Sequence, residues 1–175
     1  MARRSSKPKA PPSGTAAGRA QGASPAFDAG LRYLAGRAHS RLELRRKLTR
    51  KGFEEDEVEA ALGRLGELGY LDDAAFARSL VRRRATNRGP VAVAAELGAK
   101  GISRDGVAAA LAELDAGTQL DAATRLAERL YAEKPMPGYR EMLDRIGSKL
   151  IRRGYSGSVV REACRAVLSR AAERP

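Results

Sequence analysis

The sequence predicts an all-α protein, an elongated array of three tandem three-helix repeats. One observation is an apolar skeleton with a glycine that recurs at the same internal spacing, since a fixed internal period is typical of repeat architectures. Another is the lack of a credible strand or hairpin pattern. The three copies of the skeleton are Leu44, Leu48, Gly52, Phe53, Val58 and Leu62; Val93, Leu97, Gly101, Ile102, Val107 and Leu111; and Ile146, Leu150, Gly154, Tyr155, Val160 and Cys164.

Each copy of the skeleton predicts a helix, a glycine stop and a second helix. Gly52 suits the left-handed conformation that often ends a helix. Phe53 and Val58 have the positions of a hydrophobic staple, which sets the angle at which the chain enters the next helix. The corresponding pairs are Ile102 with Val107 and Tyr155 with Val160. The repeated residues therefore predict a repeated corner rather than a repeated catalytic site.

The first repeat begins one helix before its corner. Ser24 is a suitable cap, and Pro25 is tolerated at the first helical position. An apolar stripe follows at Phe27, Leu31 and Leu34. Ser40 and Glu43 have the spacing of a capping box, which predicts the start of the second helix.

The later repeats follow the same plan with less regularity at the end of the chain. Asp72 is a natural cap for the first helix of the second repeat, and Gly89 starts its second helix. In the third repeat Pro135 ends the first helix, and the second helix, over 139–153, is longer than its counterparts. We therefore divide the chain into a disordered basic Pro/Ala-rich tail over 1–23 and repeats over 24–69, 70–116 and 117–175.

Charge is the unusual feature of the composition. The 175 residues carry a formal net charge of +12, while the hydrophobic fraction of 43% is ordinary. Such an excess of basic residues favours a polyanionic partner, whether nucleic acid, an acidic protein surface or a membrane face. It also opposes self-association, so we expect a monomer.

Several kinds of site are excluded by the residues present. Cys164 and His39 are each the only residue of their type, which rules out an intrachain disulfide and a Cys/His zinc cluster. Asp72 and Asp73 are better explained by capping than by metal binding, and no glycine-rich phosphate loop occurs. We predict no catalytic residues, no metal, no cofactor and no enzymatic activity. Neither a membrane span nor a signal-peptide core is recognisable, so we expect a cytoplasmic protein.

Four segments together resemble the RecX family of RecA regulators. They are SRLELRRKLTRKGF, LGELGYLDDAAFA, RGPVAVAAELGAKGI and LIRRGYS, and the resemblance extends from about Phe27 to about Leu168. It implies an all-helical protein of tandem three-helix repeats. It also implies binding along the groove of the filament that RecA forms on single-stranded DNA, limiting filament growth and activity in recombinational repair and the SOS response. The family brings no catalytic motif.

Clustered basic residues are the candidate partner-binding residues. Exposed guanidinium groups bind carboxylate or phosphate with two hydrogen bonds, so these clusters suit either a protein groove or a DNA backbone. We number the nine predicted helices α1 to α9 in chain order and name each cluster after the helix it lies on or directly follows. The α2 cluster consists of Arg41, Arg45, Arg46, Lys47, Arg50 and Lys51; the α4 cluster of Arg82, Arg83, Arg84 and Arg88; and the α8 cluster of Arg152 and Arg153.

Two simpler explanations of the clusters stay open at this stage. Basic residues near a helix C-terminus complement its dipole, and the acidic run from Glu54 to Glu59 offers partners within the protein.

The alternative function is that of a general DNA-binding helical-repeat protein, with direct DNA contact through the same residues. A third possibility is an adaptor for another acidic protein.

Overall fold

The computed structural model describes residues 24–135 and 138–173, and every regular element in these residues is helical. This confirms the all-α prediction. The tail predicted over 1–23 lies outside the described residues. The helices are α1 Pro25–Gly36, α2 Arg41–Arg50, α3 Glu55–Glu67, α4 Asp73–Arg84, α5 Pro90–Ala99, α6 Arg104–Ala112, α7 Ala116–Glu133, α8 over 139–152 and α9 Gly157–Ala172.

The helices begin at the residues that the sequence predicts. The Ser24 hydroxyl accepts the Phe27 N–H at 3.2 Å, and the Asp72 carboxylate accepts two backbone N–H groups at the start of α4. Ser40 and Glu43 form the predicted capping box. Each cap satisfies N–H groups that have no partner within their own helix.

Glycine corners end the second helix of each triplet. Gly52, Gly101 and Gly154 have φ angles of +91°, +80° and +86°. A side chain at such an angle would clash with its own backbone, which explains why glycine occupies all three positions. The prediction of a repeated corner is therefore confirmed in its backbone geometry.

Three buried clusters form the core, and each draws on three successive helices. The first lies within α1–α3, the second within α4–α6 and the third within α7–α9. The skeleton residues Leu44, Leu48 and Leu62 are completely buried. Val107 and Leu111 are only partly buried against the second cluster.

In α1 the small residues, not the predicted stripe, face the core directly. Ala26 and Ala29 are 1% exposed, whereas Phe27, Leu31 and Leu34 pack at the edge of the cluster. A Cβ on Gly30 would lie only 2.7 Å from the Leu65 side chain. Close approach of α1 to α3 therefore requires small residues in the interface.

The third triplet differs from the others in α8. This helix contains a π-helical turn at Leu143–Gly147 between α-helical Tyr139–Met142 and Ser148–Arg152. The extra length accounts for the looser fit of the third repeat in the sequence. Cys164 of this triplet is fully buried, and burial raises the pKa of its thiol to about 11.

Successive triplets meet at two joints of the same type. In joint 1–2 the Ser40 hydroxyl donates to the Lys100 carbonyl at 2.7 Å. In joint 2–3 the Gly89 N–H donates to the Arg153 carbonyl at 2.8 Å. Ser40 and Gly89 each precede the second helix of their triplet, while Lys100 and Arg153 each precede a corner glycine. The corner of each later triplet thus docks on a helix start in the triplet before it.

Candidate partner-binding surface

Part of the α2 cluster is engaged within the protein. Arg45 Nη2 lies 2.6 Å from Glu55 Oε1 and 2.9 Å from Glu59 Oε1. Arg41 Nη2 lies 3.2 Å from the other oxygen of Glu59. These pairs connect α2 to the acidic start of α3, as one of the simpler explanations anticipated. Because both partners are substantially exposed, each pair contributes only ~0–1 kcal/mol to stability.

The other cations of the α2 cluster have no carboxylate within ion-pair distance among the described residues. Arg46 and Arg50 are exposed, and with Arg45 and Thr49 they line a shallow depression of about 540 Å³. The Lys47 ammonium lies 4.6 Å from the centre of the Tyr33 ring, a cation–π contact that keeps it beside α1. Arg46 and Arg50 therefore present positive charge to solvent.

In the α4 cluster, as in the α2 cluster, some members form ion pairs within the protein and others do not among the described residues. Arg84 donates through Nε and Nη2 to both oxygens of Glu96, and Arg88 Nη1 lies 3.4 Å from the same carboxylate. The hydrogen bonds from Arg84 lower the pKa of Glu96 and outweigh the effect of burial. Among the described residues Arg82 is exposed without an ion pair, and Arg83 donates there only to the Ser79 hydroxyl at 2.7 Å. Arg82 and Arg83 are therefore the available cations of this cluster.

Joint 2–3 brings the α4 and α8 clusters together. The Arg153 carbonyl accepts the Gly89 N–H, so Arg88 and Arg153 lie on either side of one short contact. The side chains of Arg152 and Arg153 are exposed and make no ion pair within the described part of the chain. Two clusters that are far apart in sequence thus border one surface.

Arg125 and Arg129 extend this surface and were not among the predicted residues. Both are exposed on α7, and with Thr86 they line a depression of about 420 Å³ next to the link between α4 and α5. Their spacing of four places them on one face of a helix. The spacing of Arg125 and Arg129 is visible in the sequence, but it does not show which triplet this face of α7 adjoins.

Tyr155 lies beneath this basic surface. The residue is 3% exposed, and its hydroxyl has no hydrogen-bond partner in the described part of the chain. Burial raises the pKa of the hydroxyl, while the charges of Arg153 and Arg125 act in the opposite direction. Tyr155 belongs to the same buried cluster as Ala122 and Leu126 of α7, so α7 and the third corner contribute to one region.

Neither a metal centre nor a membrane span is found where the structure can be described. No group of three His, Cys, Asp or Glu side chains in those residues converges as a metal site. None of the helices there is long and apolar enough to cross a bilayer.

Comparisons with known proteins identify the family. Residues 26–65 match the model described as the first three-helix domain of RecX, and residues 72–111 match the second three-helix domain. A regulatory protein RecX from Stenotrophomonas maltophilia (strain R551-3) is 41% identical over 138 residues, which cover 77% of this chain and 82% of that protein. The chain belongs to the RecX family. The resemblance seen in the sequence is thereby confirmed.

Other relatives and solved structures agree with the RecX assignment. The regulatory protein RecX of Mycobacterium sp. (strain JLS) is 40% identical over 150 residues, 82% of each chain. The crystal structure of RecX from Lactobacillus salivarius superposes with a TM-score of 0.74 at 25% identity, covering 81% of this chain and 94% of that one. The two matched RecX domains correspond to the triplets α1–α3 and α4–α6.

Proposed function

We propose that this protein regulates the RecA recombinase by binding along the groove of the RecA filament on single-stranded DNA and limiting filament growth and activity. Its relatives are named regulatory proteins, and membership of the RecX family is the observation that carries the proposal. In this role it acts without catalysing a reaction, as a cytoplasmic monomer in recombinational repair and the SOS response.

The distribution of charge supports a binding role. Several arginines of the predicted clusters lie exposed and form no ion pair with any carboxylate that the structure describes, although the chain contains 21 acidic residues. Arg82, Arg83 and Arg152 belong to this group. Exposed ion pairs add little to stability, so leaving such cations unpaired costs the fold little and keeps them available to a polyanionic partner.

Direct binding to DNA is the alternative function, and the same side chains support it. The guanidinium groups near joint 2–3 suit phosphate as well as carboxylate. The two functions differ in salt dependence, since phosphate contacts on duplex DNA weaken with a slope of ~0.9 per contact in a plot of log affinity against log salt.

One comparison separates the two functions. RecA's DNA-dependent ATP hydrolysis is measured with increasing amounts of this protein, and binding of the protein to the same bare DNA is measured in the same buffer. Inhibition at concentrations far below those that coat the DNA supports regulation of the filament. Inhibition that follows coating of the DNA would show competition for DNA and would overturn the proposal.

A further inference from the structure

The corner after α2 has the same backbone as the two corners that form the joints. We call residues 49–53 the free corner. Its Gly52 N–H donates to the Thr49 carbonyl at 2.9 Å, and the Phe53 N–H donates to the Leu48 carbonyl at 3.4 Å. The corresponding pairs are Gly101 with Gly98, Ile102 with Leu97, Gly154 with Ile151, and Tyr155 with Leu150. Three copies of one structural feature thus occur in the chain.

Two of these corners are occupied by a helix start from the preceding triplet. A Cβ on Gly101 would lie 2.7 Å from Leu42 Cβ, and one on Gly154 would lie 2.3 Å from the Ala92 backbone nitrogen. At Gly52 no atom of the residues described in the structure lies within 4 Å of the same position. Lys51 and Gly52 are exposed. The free corner is the one whose docking face has no neighbour among the described residues.

We propose that the free corner binds the first turn of a helix in a partner protein. The residue before that helix donates a hydrogen bond to the Lys51 carbonyl, and a carboxylate at its third position pairs with the Lys51 ammonium. This goes beyond the function proposed above, because it assigns a docking site for the start of a protein helix, formed by a backbone carbonyl together with one member of the α2 cluster.

Both joints within the chain contain the hydrogen bond of this contact, and joint 1–2 also contains the ion pair. The donor is a hydroxyl on Ser40 in joint 1–2 and a backbone N–H on Gly89 in joint 2–3. A further N–H, that of Val91, donates to the Gly154 carbonyl at 3.2 Å. The corner contributes carbonyl oxygens, which are left without intrahelical partners at the end of a helix.

Charge selects the partner. The C-terminal end of a helix carries partial negative charge and the N-terminal end partial positive charge, so the two ends attract when they meet. In joint 1–2 Glu43, the third residue of α2, lies 2.6 Å from the Lys100 ammonium. Lys51 occupies the position of Lys100 and forms no ion pair among the described residues. An acid at the third position of the incoming helix would complete the same pair.

A different protein fits the free corner better than a second copy of this chain. The starts of α2 and α5 are already covered by corners of the same molecule. The start of α8, with Glu141 as its third residue, has no described atom within 4 Å of a Cβ on Gly138, so only charge opposes a second copy at that helix. Two copies would each bring a formal charge of +12 to the contact, and that repulsion opposes association. A partner protein whose helix start carries an acidic third residue and lies on an acidic surface would not meet this charge repulsion.

A pair of designed peptides tests the proposal with the full-length chain. Both are alanine-based helices capped by serine; one has glutamate at the third helical position and the other has lysine. Titration is followed by the backbone amide signals in a ¹⁵N spectrum. We expect the glutamate peptide to shift the signals of Gly52 and Phe53 and to leave Gly101 and Gly154 unchanged.

Two charge reversals complete the design. Lys51→Glu should weaken binding of the glutamate peptide about threefold and favour the lysine peptide instead. Arg64→Glu, an equal change of charge near the end of α3, should leave both affinities unchanged. Absence of shifts at Gly52 and Phe53 overturns the proposal. Concentration-dependent self-association that Lys51→Glu abolishes also overturns it, since the occupant would then be a second copy.

Discussion

The Ser40 hydroxyl donates a 2.7 Å hydrogen bond to the carbonyl oxygen of Lys100, 60 residues later in the chain. The same hydroxyl accepts the Glu43 N–H at 3.1 Å. Ser40 is completely buried, so one small side chain both caps α2 and attaches the second triplet to the first.

Replacement of Ser40 should therefore cost more than the loss of a cap. Ser40→Ala removes the cap and leaves the Lys100 carbonyl without its donor, and we expect a loss of ~2–3 kcal/mol in the free energy of unfolding. Ser103→Ala is the matched control, because Ser103 caps α6 through Gly106 alone and should cost ~1 kcal/mol. Urea denaturation of both variants gives the comparison. Equal losses would show that the contact with Lys100 adds nothing.

Acid should destabilise the protein through Glu43 and His39. Burial acts to raise the pKa of Glu43, but hydrogen bonds from Lys100 and Arg37 outweigh it and hold the pKa at about 2. Burial and the nearby Arg37 charge lower the pKa of His39. Both groups therefore bind protons more readily in the unfolded chain than in the folded one.

The pH range follows from these two shifts. The His39 contribution is complete above its ordinary pKa of 6.5 and declines as the pH falls below that value. The Glu43 contribution is complete above pH 4.5 and declines as the pH falls towards about 2. Together the two groups contribute ~1–3 kcal/mol to the free energy of unfolding. Denaturant midpoints measured between pH 7 and pH 3 test this. Glu43→Gln should remove the loss of stability that occurs below pH 4.5. Glu57→Gln, at the same position of the capping box of α3, should leave that loss unchanged.

Gly89 should tolerate no side chain. Its φ of −79° is accessible to any residue, but a Cβ there would lie 2.2 Å from the Gly154 carbonyl oxygen. Gly89→Ala must therefore open joint 2–3, and we expect a loss of ~1–3 kcal/mol. Gly63→Ala lies within α3, and no described atom outside the local helix backbone comes within 4 Å of the new methyl group, so it should stabilise the protein by ~0.5–1 kcal/mol. Thermal unfolding of the two variants should show opposite signs, and a stable Gly89→Ala variant would contradict the close contact.

Arg82 and Arg83 should contribute to RecA inhibition without contributing to the fold. We expect Arg82→Glu/Arg83→Glu to raise the concentration needed for half-inhibition of RecA ATP hydrolysis at least about tenfold, because each charge reversal replaces attraction by repulsion. Unfolding stability should change by less than ~0.5 kcal/mol for each exposed site. A double reversal of Arg64 and Arg78, which lie outside the predicted clusters, controls for net charge. Unchanged inhibition in the Arg82/Arg83 variant would remove this cluster from the interface.

The sequence predicts the local parts of this fold well because they depend on neighbouring residues. The caps at Ser24, Ser40 and Asp72 and the corner glycines each depend on about one turn of chain, so their patterns are readable directly. The all-α class follows from the same signals. The contact from Ser40 to Lys100 has no such signature, since it joins residues that become neighbours only after two triplets have folded.

The candidate surface was predictable in composition but not in arrangement. The clusters are evident in the sequence, yet the pairing of Arg84 with Glu96 and the nearness of Arg88 to Arg153 depend on how helices pack. Arg125 and Arg129 were missed because nothing in the sequence of α7 indicates that it adjoins the link between α4 and α5. Which of these cations contact a partner stays a prediction.

The head-to-tail joints also bear on how such a chain could change in length. Each joint uses a helix start on one side and a glycine corner on the other, and no residue serves both sides of one joint. Duplication of a whole triplet would therefore carry both halves of the contact with it. The architecture permits the array to grow or shorten by duplication or deletion of one triplet at a time, because the existing contact would form each new joint.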